Sequence, residues 1–105
     1  MPAPNRSKKG FVGILTADLF FPETGSLKGK RMYLRRIRDT VTRRHGASFA
    51  EVGYQDLWQR SRIVMAVAAS DMQVLERALD RLRVFLDSQE WQLASCMTEV
   101  VEVDA

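Results

Sequence analysis

One cysteine and one histidine are all that a chain of 105 residues offers for soft-metal or thiol chemistry. A lone Cys96 cannot close a disulfide within the chain. With only His45 beside it, no Cys/His ligand set can be assembled, so neither a metal nor a cofactor is expected. This fits a reducing cytoplasm. Long apolar runs are also missing, since no stretch approaches the roughly 20 apolar residues of a membrane span. Arg6, Lys8 and Lys9 precede the apolar run Phe11 to Leu15, which mimics the start of a secretory signal. That run is short and Asp18 soon interrupts it, so no leader and no membrane partner are expected.

Catalytic signatures are absent as well. No paired carboxylates stand at a readable spacing, and nothing in the order of Ser, His and Asp points to their mutual proximity. Gly25 and Gly29 flank a helix start without a Walker or dinucleotide-binding pattern. Cys96 falls within a strand pattern, where a buried, inert thiol is the usual state. The reading is of a protein that is not an enzyme and has no catalytic residues.

What is present is an ordinary globular composition, 46% hydrophobic and 28% charged. The length fits one domain with its own core. Residues 1–9 are polar and basic and read as a flexible arm, leaving 10–105 as a single domain. Charge is divided unevenly. Residues 1–45 hold 11 Lys or Arg against three Asp or Glu, whereas residues 46–105 hold 5 against 10. Such asymmetry points either to a polyanionic partner for the basic half or to neutralisation of one half by the other in the fold.

Hydrophobic periodicity gives the elements. Phe11 to Phe21 alternates, with Leu15, Ala17, Leu19 and Phe21 on one face. Ser26 is a suitable N-cap for a helix from Leu27 to His45, with Leu27, Leu34, Ile37 and Val41 as its apolar stripe and Gly46 as its stop. Ala47 to Tyr54 and Arg62 to Ala69 read as strands joined by the polar connection Gln55 to Ser61. Ser70 or Asp71 caps a second helix, with Gln73 placed to close a capping box from Ser70. Its apolar face runs from Val74 to Leu86, and Trp91 to Val103 is the last strand. Two β-α-β units, with parallel pairing of the outer strands of each, prefer right-handed crossovers. Each helix has a single apolar face. The fold is therefore α+β, a ferredoxin-like plait of order β-α-β-β-α-β, with a four-stranded antiparallel sheet and two helices on one face. Val12, Ile14, Phe20, Val64, Ala66 and Ala68 would line the open face, where an apolar patch favours a partner such as a second copy.

The first helix carries the functional signal. At 100° per residue, Lys28, Arg31, Arg35 and Arg38 fall within an arc of about 80° and form a continuous basic stripe. Arg36, Arg43 and Arg44 widen it, and only Asp39 relieves it. A solvated face normally interleaves both signs, as the second helix does, while a one-signed stripe can track phosphates. Lys28, Lys30 and Arg31 also stand at the positive end of the helix dipole, where an anion would relieve them. Lys30 projects near the centre of the apolar stripe, where the bland reading is a stem packed on the core with its ammonium reaching out. Trp58, in the polar connection, can stack on a base. In such a position an aromatic more often plugs the core. Gln55, Asp56 and Gln59 are expected to bond the turn. The third strand lacks the aromatic signature of the RNA-recognition motif, so binding would use the helix and not the sheet.

Ser26-Leu27-Lys28-Gly29-Lys30-Arg31, following the strand from Val12, resembles the YlxP-like family of small bacterial proteins. So does Ala50-Glu51-Val52 followed by Gln55-Asp56-Leu57-Trp58-Gln59-Arg60. The match in order and spacing spans roughly residues 11–90. The resemblance implies a ferredoxin-like fold and no established activity. It also implies a place around ribosome assembly or translation, since genes of that family often lie near those for translation initiation factors and ribosome-binding factor A. One departure is Gly29, where the family usually carries an acidic residue that completes a capping box.

The expected function is thus a ribosome- or RNA-associated binding module. Its contacts would be Lys28, Lys30, Arg31, Arg35 and Arg38, with Trp58 a further candidate, and its partner ribosomal RNA or a ribosomal subunit. Two alternatives stand beside it. One is a self-associating structural or regulatory protein, a homodimer through the open sheet face. The other is a small-molecule-binding domain using Asp18, Glu51 and Asp56.

Overall fold

Ser26 and Gly46 bracket the first helix as their chemistry requires. In the computed structural model, which describes residues 9–104, the Ser26 hydroxyl accepts from the Gly29 N–H at 3.0 Å and α1 runs Leu27–His45. Gly46 adopts φ 62°, ψ 25°, and its N–H donates to the Val41 carbonyl. Only glycine takes that left-handed conformation without strain. The strands are β1 (Lys9–Phe20), β2 (Ser48–Gly53), β3 (Arg60–Ala69) and β4 (Gln92–Asp104), and the second helix is α2 (Met72–Leu86). The basic arm expected for residues 1–9 lies, apart from Lys9, outside the described residues. Lys9 itself opens β1 opposite Asp104.

The sheet order is β2-β3-β1-β4 with every pairing antiparallel. The two strands of each β-α-β unit are therefore not paired with each other, because β3 lies between β1 and β2, and β1 lies between β3 and β4. The parallel outer pairing expected from sequence is corrected by these insertions, and the plait itself stands.

Alternation sorts the two faces. Leu15, Ala17, Leu19, Ile63 and Met65 are buried under the helices, where Leu34, Ile37 and Val41 of α1 and Leu75, Leu79, Leu82 and Leu86 of α2 meet them. Gly13 lets α2 approach, since a Cβ there would stand 2.9 Å from Leu79 Cδ1 and 3.0 Å from Leu75 Cδ1. Trp91 seals one end, donating from Nε1 to the Leu86 carbonyl at 2.8 Å and packing against Phe21, Tyr33 and Phe85.

Two local expectations at α2 change. Asp71, not Ser70, is the cap: its Oδ1 accepts from the N–H groups of Gln73 and Val74 at 2.8 and 3.1 Å. A carboxylate accepts two first-turn donors and complements the dipole, so no box from Ser70 to Gln73 is made. Val74 stands in solvent, 53% exposed, because it lies in the first turn beyond the edge of the core.

Candidate nucleic-acid interface

The helix α1 splits its cations between three environments. Arg31, Arg35 and Arg38 line a shallow groove of about 200 Å³ together with Leu34, Phe49 and Glu51, between α1 and the edge strand β2. Lys28 stands exposed one turn earlier on the same side. Among the described residues none of Lys28, Arg31 and Arg35 makes an ion pair, and Arg38 reaches only its neighbour Asp39 at 3.4 Å. The first turn holds no acidic residue. Arg36 lies on the other side of the helix, paired with Glu90 and over the Tyr33 ring at 5.6 Å. Arg43 and Arg44 are exposed in the last turn, where cations suit the dipole.

Lys30 is the exception and corrects the sequence reading. It is 1% exposed, and its ammonium turns inward instead of reaching out. It donates to the carbonyls of Tyr54, Gln55 and Arg60 at 2.9, 3.1 and 3.1 Å, and lies 3.1 Å from Glu51 Oε2. An ammonium has three donors, and the three carbonyls occupy them, with the Glu51 carboxylate beside them as counter-charge. Lys30 is therefore withdrawn from any phosphate on the surface. Its effect on the groove is indirect. Glu51 is the one carboxylate in the groove lining, and its Oε2 takes both the Lys30 pair and the Ser61 hydroxyl at 2.6 Å. A negative charge that would repel an anion is thereby compensated from beneath.

The connection between β2 and β3 is held against α1 by the same lysine. Tyr54 has φ 58°, unusual for a residue with a side chain, and its carbonyl is one of the Lys30 acceptors. Its ring lies under the guanidinium groups of Arg60 at 4.2 Å and Arg62 at 5.1 Å. Gln55 donates to the Glu51 carbonyl and so bonds the local chain as expected, whereas Gln59 donates to the carbonyls of Pro22 and Thr24 and ties the connection to the segment between β1 and α1. Trp58 does not plug the core. It is 54% exposed, beside Leu57, and lines a separate depression of about 410 Å³ with Phe20, Asp56, Gln59 and Arg60. The connection is fastened by its backbone carbonyls, which leaves its apolar side chains free to point outward. Trp58 and the arginine groove are thus distinct places.

The small-molecule alternative finds no common site in Asp18, Glu51 and Asp56. Asp18 lies on the open face, where Arg62 donates to it through Nε at 2.7 Å and Nη2 at 3.0 Å. Those bonds hold the Asp18 carboxyl below its ordinary 3.8, while burial opposes them, and raise the Arg62 guanidinium above its usual value. Glu51 faces the helices, and Asp56 is exposed in the connection. Sequence reasoning missed the Tyr54–Arg60–Arg62 stack. The signal available was a tyrosine and two arginines bracketing the polar connection.

Among the described residues no helix is long and apolar enough to cross a membrane. A one-sided basic helix on a ferredoxin-like plait is the class of domain that these observations define. The family described as "Protein of unknown function (DUF503)" matches residues 12–99. The chain is also 36% identical, over 77 residues, to the "Uncharacterized protein YlxP" of Bacillus subtilis (strain 168), a match covering 73% of this chain and 84% of that one. The chain belongs to this YlxP-like family of proteins of unknown function.

Proposed function

We propose that the protein is an RNA-binding module that docks on ribosomal RNA, in a subunit or its precursor, through the β2-facing side of α1. The observation that carries this reading is a groove with three arginines and one carboxylate, in which that carboxylate is already paired with buried Lys30. Lys28, Arg31 and Arg35 face solvent with no ion-pair partner among the described residues. A one-signed stripe on a rigid helix favours phosphate oxygens over base edges, so recognition is of backbone shape. The choice of ribosomal RNA follows the translation-related company that the family resemblance implies.

Co-sedimentation from the native bacterium tests it. The protein should travel with a ribosomal subunit or its precursor at low salt and leave it at higher salt. The folded double variant Arg31→Glu/Arg35→Glu should no longer travel with it. Cross-links should fall on α1 and not on α2, whose outer face mixes Glu76, Arg77, Asp80, Arg81 and Arg83. Recovery of protein partners alone, or RNA cross-links on α2, would sink the reading.

A further inference from the structure

The open sheet face is divided by side-chain size. On the β2–β3 half the outward residues include Ala50, Ala66 and Ala68, and on the β1–β4 half Val12, Ile14, Met97 and Val101. The register places them in rows: Ala68 beside Val12 and Val101, Ala66 beside Ile14, and Ala50 beside Val64, Thr16 and Met97. Met97 is 66% exposed and Val101 46%, so the larger half stands uncovered. This leaves a step at three places, low at Ala50, Ala66 and Ala68 and high at Met97, Ile14 and Val12, while Val52, Val64 and Arg62 are larger residues on the β2–β3 half.

We infer that this face is covered by a second copy of the chain, related by a two-fold axis lying along the strands between β1 and β3. Such an axis keeps each row in register and reverses the strand order, so β3 of one copy lies over β1 of the other, and β2 over β4. Each of the three alanines then meets a larger side chain: Ala66 faces Ile14 of the second copy, Ala68 faces Val12 and Ala50 faces Met97, while Val64 faces Thr16, of nearly equal size. The polar row is matched by charge and not by size, because Arg62, which bonds Asp18 within its own chain, also falls over Asp18 of the second copy. The one carboxylate in the apolar rows, Glu99 beside Ile14, falls over Ser48, which lies beside Ala66 on β2. A two-fold contact must be complementary to itself, and the three alanine pairings together with the Arg62–Asp18 charge pairing satisfy that requirement. Stacked sheets keep their strands roughly aligned, as this axis does.

The area is of the order that a small two-fold contact needs. With the strands about 4.8 Å apart and about 3.3 Å per residue, the face spans on the order of 650 Å² per copy, of which on the order of 500 Å² lies beneath a strand of the second copy because β2 is shorter than β4. Stable interfaces bury roughly 600–1,000 Å² per partner. Both α1 helices remain on the outside, so this contact is independent of the arginine groove.

Sedimentation of the full chain at micromolar concentration should give twice the 12.0 kDa of one copy. Ala68→Arg/Met97→Arg, at two exposed positions, should sediment as a folded monomer. Ala50→Cys/Met97→Cys on a Cys96→Ser background supplies a second measurement. Strands β2 and β4 are opposite edges of one sheet, roughly 14 Å apart, so these cysteines can join only between copies. Oxidation should give a covalent dimer, and either cysteine alone should give none. A monomeric parent, a dimer that survives the double arginine variant, or single-cysteine variants that cross-link as well as the pair would each overturn the proposal.

Discussion

The Lys30 ammonium lies 3.1 Å from the Glu51 carboxylate, in a place where the lysine is 1% exposed and the glutamate side chain 21%. Charge is kept there by a full set of partners, since three backbone carbonyls accept from the same nitrogen. Removing one member of such a set leaves the others unpaired. Lys30→Met should therefore cost about 3 kcal/mol in guanidinium unfolding. Lys28→Met, two residues away and exposed, should change stability by less than about 0.5 kcal/mol. Equal effects from the two variants would show that the ammonium of Lys30 is not held as described.

Asp18 and Arg62 make a pH-dependent contribution whose sign is fixed. The Asp18 carboxyl is held below its ordinary value of 3.8, chiefly by the hydrogen bond from Arg62. A carboxylate lowered on folding stabilises above its unfolded value and loses that contribution as pH falls through its folded one. The stability difference between the parent and Asp18→Asn should be constant from neutral pH down to about pH 5 and shrink as the pH falls below about 4. Urea unfolding at a series of pH values measures it. A difference that grows on acidification would contradict the assigned bond.

The two tryptophans should separate cleanly. Trp91 is 7% exposed and Trp58 54%. Trp91→Ala should cost about 3–5 kcal/mol as a core truncation, and Trp58→Ala less than about 0.5 kcal/mol. In Trp91→Phe, the remaining Trp58 emission should be red-shifted and readily quenched by iodide. In Trp58→Phe, the remaining Trp91 emission should be blue-shifted and protected.

These contrasts also mark what the sequence makes legible. The helix α1 is readable to the residue because its cap, stripe and glycine stop are local signals that no tertiary contact overrides. Strand identity is equally plain from alternation, and the outward placement of Val12, Ile14, Phe20, Val64, Ala66 and Ala68 follows from it. Lys30 shows where such reading ends. Its position in the apolar stripe is visible, but its partners come from 21 to 30 residues along the chain, and no local spacing encodes them. Trp58 fails for the same reason in reverse. An aromatic in a connection is ordinarily drawn inward, but here Lys30 anchors the connection by its carbonyls, and the indole is left outside. At α2, Ser70 and Asp71 are both acceptable caps, and the better acceptor takes the position.

Salt dependence offers the closest test of the arginine groove. Each phosphate contact releases condensed counterions, so the logarithm of the affinity for RNA should fall linearly with the logarithm of salt. Four contacts, from Lys28, Arg31, Arg35 and Arg38, give a slope of roughly −3. Neutralising one of them, as in Arg35→Gln, should weaken binding to all RNA sequences alike and reduce the slope by about one. Lys30→Met, with binding measured on the folded fraction, should leave the four outer contacts in place. It would, however, return an unpaired Glu51 carboxylate to the groove, so affinity should drop by electrostatic repulsion while the four cations still release their counterions. Trp58→Ala separates the two modes of contact. If the indole stacks on a base, its loss should cost about 1–3 kcal/mol of affinity with the slope unchanged, because stacking releases no counterions. Filter binding of structured ribosomal RNA across a salt series measures all of these at once. A flat salt dependence in the parent protein, or an Arg35→Gln slope equal to the parent's, would show that phosphates are not what the groove holds.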